Sequence, residues 1–137
     1  MRIFLRKRIF RKDKEITVNK GESGEMYLET ILVLSHKKSD VHAVDVAEEM
    51  GYSKPSVSRG TGLLKKAGLI EVDKDGVIKL TAEGLKKAEA IYDRHRTITK
   101  ALVKMGASPV SAEDNACRIE HVVSPDVFEA IKKFANE

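Results

Sequence analysis

Cys117, Glu120 and His121 form the pattern C-x-x-E-H, and on a helix positions i, i+3 and i+4 share one face. Together they offer a thiolate, a carboxylate and an imidazole. Met26 and Glu29, also three apart, put a thioether and a carboxylate on one face of an earlier helical stretch, and His95 stands on a third. If these three helices meet, six donors converge, a mixed soft and borderline set suited to a divalent first-row transition metal. The paired Cys or His at tight spacing that a structural zinc finger needs is not there. Spacing alone leaves the plainer alternative open: a small buried cysteine, a core methionine, and a Glu and a His on a solvated helix face.

The elements that must carry these residues are legible in hydrophobic period and punctuation. Residues 1–20 alternate cationic and apolar side chains without a sustained period, and Lys20-Gly21-Glu22-Ser23-Gly24 reads as a flexible break. From Glu25 to Leu34, Tyr27, Leu28, Ile31, Leu32 and Leu34 recur at helical spacing. A polar loop, His36 to Asp40, precedes a short amphipathic helix from Val44 to Met50, ended at Gly51. The next helix opens with Ser53 as N-cap and Pro55 in its first turn. Its apolar positions Val57, Leu63, Leu64 and Ala67 lead to a stop at Gly68. Leu69–Val72 and Val77–Leu80 then read as strands around Asp73-Lys74-Asp75-Gly76, a turn favoured by its Asp-Gly pair. Thr81 caps a long helix reaching about Met105. Ser111 with Asp114 opens a helix from Ala112 to Val123, and Ser124-Pro125 opens a last one with Val127, Phe128, Ile131 and Phe134 on one face.

Helix, helix, turn, helix and hairpin, in that order, make a winged helix-turn-helix, so the expected fold is mainly α, a winged domain followed by a small helical one. The second helix of the pair fits the major groove and the wing lies against the backbone or minor groove. Ser53, Lys54, Pro55, Ser56, Ser58, Arg59 and Lys65 are the candidate DNA contacts. Short hydroxyls and cations at a helix N-terminus bond phosphates and base edges, and Arg59 is the candidate for bidentate reading of a guanine. The alternative is that the hydroxyls only cap a solvated helix.

Bulk charge does not carry that reading. Of the chain's net +4, residues 1–20 hold +6, with eight Lys/Arg against Asp13 and Glu15, so the remainder carries −2. With 34% charged and 5% aromatic residues the balance favours helices over a sandwich or barrel. No run of 18 apolar residues exists, and the arginine-interrupted start cannot serve as a signal-peptide core, so a cytoplasmic protein without a membrane partner is expected. One cysteine excludes an intramolecular disulfide.

Four stretches resemble the diphtheria toxin repressor family of metal-dependent transcription factors, which includes iron-dependent repressors and manganese transport regulators. They are Glu25-Met26-Tyr27-Leu28-Glu29-Thr30-Ile31, Ser53-Lys54-Pro55-Ser56-Val57-Ser58, Leu80-Thr81-Ala82-Glu83-Gly84 and Ala116-Cys117-Arg118-Ile119-Glu120-His121-Val122. The resemblance runs from about Gly24 to Phe134. Beside the basic arm read over 1–23, which is longer than usual in the family, it implies a winged DNA-binding domain over 24–90 and a helical metal-binding and dimerisation domain over 91–137, in the two-domain form without an SH3-like third domain. The implied protein is a homodimer that fits a palindromic operator in double-stranded DNA when metal is bound. Met26, Cys117, Glu120 and His121 match the activating metal site of the iron-type members, and His95 matches a histidine of their second site. Glu29 stands where manganese-type members have a carboxylate ligand. Thr99 and Glu113 depart from the iron-type second site, where a glutamate and a histidine stand.

The expected function is therefore metal-dependent transcriptional regulation, as a repressor and not an enzyme, with Fe(II) preferred over Mn(II) because Met26 and Cys117 are soft donors. Ile119, Val122, Val123, Phe128 and Ile131 are the expected dimer face, or alternatively the core of the small domain. A metal-independent thiol sensor acting through Cys117 is the other regulatory reading. A hydrolytic metalloenzyme would need a substrate pocket for which this chain leaves little room.

Overall fold

The structure is a computed structural model and describes residues 20–137, with side chains from Gly24 onward. The basic arm expected over 1–23 lies, up to residue 19, outside the described residues. The rest divides into two compact units, 20–89 and Ala90–Glu137, and the chain passes from one to the other within a helix. Among the described residues no helix is long and apolar enough to cross a membrane.

The first unit begins with α1, Lys20–Lys37. The helix starts five residues earlier than the period suggests and runs through the glycines read as a break. A glycine inside a helix costs only about 1 kcal/mol relative to alanine, and α1 is held by burial of Tyr27, Leu28, Ile31 and Leu32. It packs on α2 (Ala43–Met50), on α3 (Lys54–Lys66) and on the second strand of the hairpin. α2 contributes Val46 and Met50 to the interior, and α3 contributes Val57 and Leu64.

Asp45 secures the entry to α2. Its carboxylate accepts from Lys38 Nζ at 2.8 Å and from the backbone N–H of His42 at 2.8 Å. Those two hydrogen bonds, Lys38 first, hold its carboxyl below the ordinary range. At α3 the Ser53 Oγ accepts from the Ser56 N–H at 3.3 Å, with Pro55 in the first turn, as the sequence grammar requires.

The hairpin is antiparallel. β1 (Ile70–Val72) pairs with β2 (Ile78–Leu80) in the register Ile70↔Leu80, Glu71↔Lys79, Val72↔Ile78. The strands are shorter than expected because Leu69 and Val77 fall outside the ladder. The connection spans 73–77, with Gly76 at φ 81°. Asp73 Oδ1 accepts from the N–H groups of Asp75 and Val77 at 2.8 and 2.9 Å, so one side chain shapes the turn. Val41 adds an isolated bridge to Ile78, whose N–H donates to the Val41 carbonyl at 2.7 Å. The wing is thereby tied to the segment before α2.

After β2, α4 (Ala82–Lys104) is capped by Thr81, whose Oγ1 accepts from the Gly84 N–H at 3.1 Å. The second unit comprises the later turns of α4 with α5 (Pro109–Ile119) and α6 (Pro125–Asn136). α5 departs from expectation at both ends. Its cap is Ser108, whose Oγ accepts from the Ser111 N–H at 3.2 Å, so Ser111 is inside the helix and donates. Pro109 has no N–H to satisfy and suits the first helical position, which fixes the start there. The helix closes at Ile119, leaving Glu120, His121 and Val122 in the following turn. At α6, Ser124 occupies the N-cap position, but its hydroxyl donates to Asp126 Oδ1 at 2.7 Å instead of accepting from the helix.

Ile98, Ala116 and Phe128 form the buried core of this unit, with Leu102, Ile119, Val123 and Ile131 packed against it. Four of the five residues expected at a dimer face therefore fill the unit's own interior. Val122, at 68% exposed, and Val127, at 49%, do not. Val127 also leaves the apolar face assigned to α6, on which Ala135 is buried instead.

Two stability predictions follow. Asp45→Asn removes the charged partner of Lys38 and weakens the α2 cap, so it lowers stability at pH 7 by about 1 kcal/mol. Because the folded-state pKa of Asp45 is depressed, its contribution is present above the unfolded value of about 3.9 and is lost as pH falls through the folded value. Urea unfolding of both proteins should show the gap closing below about pH 4. In α3, a Cβ at Gly60 would collide with the Tyr27 ring, whereas a Cβ at Gly62 meets nothing within 4 Å. Gly60→Ala should therefore destabilise by about 1–3 kcal/mol, while Gly62→Ala stabilises by about 0.5–1 kcal/mol, both read from thermal unfolding without DNA.

Candidate metal centre and nucleic-acid face

Within the second unit, α4 and the end of α5 bring four of the candidate ligands together. His95 Nδ1 lies 2.8 Å from Glu120 Oε1 and 4.0 Å from Cys117 Sγ. The other carboxylate oxygen, Glu120 Oε2, lies 3.4 Å from His121 Nε2. One carboxylate thus spans two imidazoles. The side chains of His95 and Glu120 are fully buried, that of His121 nearly so, and Cys117 is buried. Burial, then the neighbouring His121 and Arg96, pushes the His95 pKa down to about 4, so its ring is neutral at pH 7, the form that ligates metals.

Glu120 stays on the shared face although α5 has ended, because its own backbone remains helical at φ −59°, ψ −24°. Arg94 holds it there. The Arg94 guanidinium donates to the Glu120 carbonyl at 3.0 Å and to the Val123 carbonyl at 3.1 Å, and it covers the Phe128 ring at 5.2 Å. A cation on carbonyls at a helix C-terminus satisfies acceptors that the helix itself leaves open. Sequence reasoning missed Arg94. The signal available was only its position beside His95, since the carbonyls it serves come from residues far along the chain. Thr99, at a position of departure from the iron-type pattern, turns its Oγ1 onto the His95 carbonyl at 2.8 Å.

Donors bound about 2.1–2.3 Å from one cation at angles near 90–110° are separated by about 3.0–3.6 Å. Separations of 2.8, 3.4 and 4.0 Å among His95, Glu120, His121 and Cys117 bracket that range. The donor types, one sulfur, one carboxylate and two imidazoles, fit a divalent transition metal. Cys117 is buried, and burial disfavours peroxide oxidation of a thiol. Met26 and Glu29 belong to the other unit. They stand three apart on α1, Met26 half-buried and Glu29 buried.

On the first unit, Ser53, Lys54, Pro55, Ser58, Arg59 and Lys65 are exposed and Ser56 is half-buried. Lys54, Arg59, Lys65 and Lys66 give α3 four cations and no acid. The Ser56 hydroxyl lies 3.0 Å from Ser53 Oγ and accepts from Arg59 Nη2 at 3.4 Å, which holds the guanidinium along the helix surface. Behind this face Tyr27 donates its hydroxyl to the Ser56 carbonyl at 3.2 Å and meets the Tyr52 ring edge-on at 6.1 Å. Burial pushes the Tyr27 pKa up to about 12, so the donor keeps its proton. Leu63, one of the apolar positions of this helix, is 58% exposed.

Residues 21–86 match the description "Iron dependent repressor, N-terminal DNA binding domain", and residues 81–137 match "Iron dependent repressor, metal binding and dimerisation domain". The transcriptional regulator MntR of Escherichia coli O157:H7 is 32% identical over 128 residues, 93% of this chain and 81% of that protein. The iron-dependent repressor IdeR of Mycobacterium tuberculosis (strain ATCC 25618 / H37Rv) is 35% identical over 118 residues, 84% of this chain and 50% of that protein. Among solved structures, the manganese regulator SloR superposes with a TM-score of 0.74 at 31% identity, covering 88% of this chain and 55% of SloR. The chain thus spans most of MntR but about half of IdeR and SloR. Nothing in these relationships favours a thiol-based switch. With a winged helix-turn-helix in one unit and a buried sulfur, carboxylate and imidazole set in the other, the chain belongs to the iron-dependent repressor family of DNA-binding transcriptional regulators, which are not enzymes.

Proposed function

We propose that this chain acts in the cytoplasm as a metal-dependent transcriptional repressor, a homodimer that occupies a palindromic operator when Fe(II) is bound, with Mn(II) as the other activating ion. The observation that carries the reading is the buried His95, Cys117, Glu120 and His121 constellation in a chain whose α3 is exposed, cationic and free of acids. The working division is a basic arm over 1–23, a DNA-binding domain over 24–90 and a metal-binding and dimerisation domain over 91–137.

His95, Cys117, Glu120 and His121 are the proposed ligands of the second unit, and Met26 and Glu29 are the proposed donors carried by α1. A bound divalent cation supplies positive charge to thiolate and carboxylate groups and so favours whichever conformation assembles them. Glu120 aligns the two imidazoles through its two oxygens, and Arg94 fixes the backbone from which Glu120 projects. Sulfur from Cys117 and Met26 is the argument for Fe(II) over Mn(II). On α3, Ser53, Lys54, Pro55, Ser56, Ser58, Arg59 and Lys65 are the proposed DNA contacts, with Arg59 on a base edge and the lysines on phosphate. Val122 and Val127, exposed in a domain whose family description includes dimerisation, are the proposed centre of the dimer contact.

The direct test is anaerobic capture of fragmented genomic DNA by the purified protein, with chelator and then with Fe(II) or Mn(II) at matched ionic strength. Recovery of an inverted-repeat sequence only with metal is expected, and equal recovery under chelator would overturn the metal requirement. Glu120→Ala and His121→Ala should each weaken metal binding by at least about tenfold in equilibrium dialysis and abolish metal-stimulated DNA binding while the protein stays folded. A wild-type response from either variant would reject the ligand set. Val122→Asp combined with Val127→Asp should convert the dimer to monomer in sedimentation equilibrium; an unchanged mass would place the interface elsewhere.

A further inference from the structure

α3 has a buried face and, beside it, an exposed one. Val57 and Leu64 are buried, and Gly60 lies against the Tyr27 ring. Ser56, Arg59, Leu63 and Lys66, at i, i+3, i+7 and i+10, line the other face. Consecutive helical residues are about 100° apart, and on α3 only one of Leu63 and Leu64 enters the core. Leu64 does so at 5% exposed, and Leu63 is left at 58%. Around Leu63 is an open depression of about 650 Å³ lined by Ser58, Arg59, Gly62, Leu63, Lys65 and Lys66. A large exposed apolar side chain at the edge of a cationic face fits an occupant that is polyanionic and carries an apolar group within reach of it. A major groove presenting a thymine meets both conditions, since the C5-methyl is the apolar group that base pairs offer there.

We propose that Leu63 is a specificity-determining residue that reads a thymine through its C5-methyl group, one helical turn beyond the base read by Arg59. The inference rests on the DNA-binding reading above and adds to it a sequence requirement. Residues four apart on a helix have Cβ atoms about 5–6 Å apart, and base pairs rise about 3.4 Å per step, so the thymine lies one or two steps from the guanine. Gly62 beside Leu63 adds no side chain, which lets the helix surface approach the bases at this point. Lys65 and Lys66, which line the same depression as Leu63, are placed to hold phosphate.

The test starts with duplexes selected from a random library by the full chain with Mn(II) present. Each thymine of the recovered site is then replaced by deoxyuridine, which deletes the methyl group and nothing else. For the wild-type protein, substitution at one thymine in each half-site, adjacent to or one step from a guanine, should weaken binding by about fourfold per half-site, the value of one buried methyl. Leu63→Ala, whose fold is checked by circular dichroism, should bind the parent duplex correspondingly less well and become indifferent to deoxyuridine at that position alone. Arg59→Ala should keep the deoxyuridine effect while losing discrimination at the guanine. Leu63→Ala retaining the wild-type sensitivity at every thymine overturns the proposal. So does an unchanged DNA affinity accompanied by a change of oligomeric mass, which would assign Leu63 to a protein contact. If the wild-type chain enriches no duplex, the DNA-binding reading itself fails and the proposal falls with it.

Discussion

A missing Cβ sets the position of α3, the exposed cationic helix. Gly60 lets α3 come down on the Tyr27 ring so closely that any other residue would collide, and the Tyr27 hydroxyl then reaches the Ser56 carbonyl. This contact decides the rotation of α3 about its axis. With Gly60 inward, Val57 and Leu64 are buried, and Ser56, Arg59 and Leu63 point outward. α1 supplies the platform because Tyr27 shares it with Leu28, Ile31 and Leu32, an apolar stripe dense enough to keep a helix intact through the glycines near its start.

α1 also carries Met26 and Glu29, the residues on either side of the Tyr27–Leu28 pair. The same two turns of helix therefore hold candidate metal donors and the ring that seats α3. In the second unit a comparable economy joins structure and chemistry at Glu120. Its carbonyl is part of how Arg94 closes α5, while its carboxylate spans His95 and His121. Buried carboxylates and imidazoles are costly unless paired. Here they pair with one another beside a buried thiol.

The exposed face of α3 combines two recognition chemistries. Its cations, unrelieved by any acid, provide attraction to phosphate that is long-ranged and sensitive to salt. Arg59, steadied by Ser56, and the exposed Leu63 would act only at contact distance under the proposed reading, one through hydrogen bonds and the other through an apolar surface. The wing contributes little charge of that kind, since Glu71, Asp73 and Asp75 oppose Lys74 and Lys79. Asp73 serves the turn instead, accepting two backbone N–H groups within it.

The order of elements, the fold class and the candidate donors of the second unit were legible in the sequence because they depend on local rules. Hydrophobic period separated helix from strand, Ser-Pro pairs and glycines punctuated them, and C-x-x-E-H placed three donors on one face. Even the errors at element ends were local. Ser108-Pro109 outweighed Ser111 as the start of α5, and packing carried α1 through a glycine-rich stretch. What the tertiary structure alone decided was which of two equivalent neighbours faces inward. Leu63 and Leu64 are the same residue in adjacent positions, and only the contact of Gly60 with Tyr27 distinguishes them. Ile119, Val123, Phe128 and Ile131 were equally suited to a core or an interface until Ile98 and Ala116 were seen to pack among them. Arg94 acquired its role from carbonyls 26 and 29 residues away. Periodicity describes a helix about its own axis, but the direction of the core is set by neighbours distant in sequence, and that direction decides which residues reach DNA, metal or a partner.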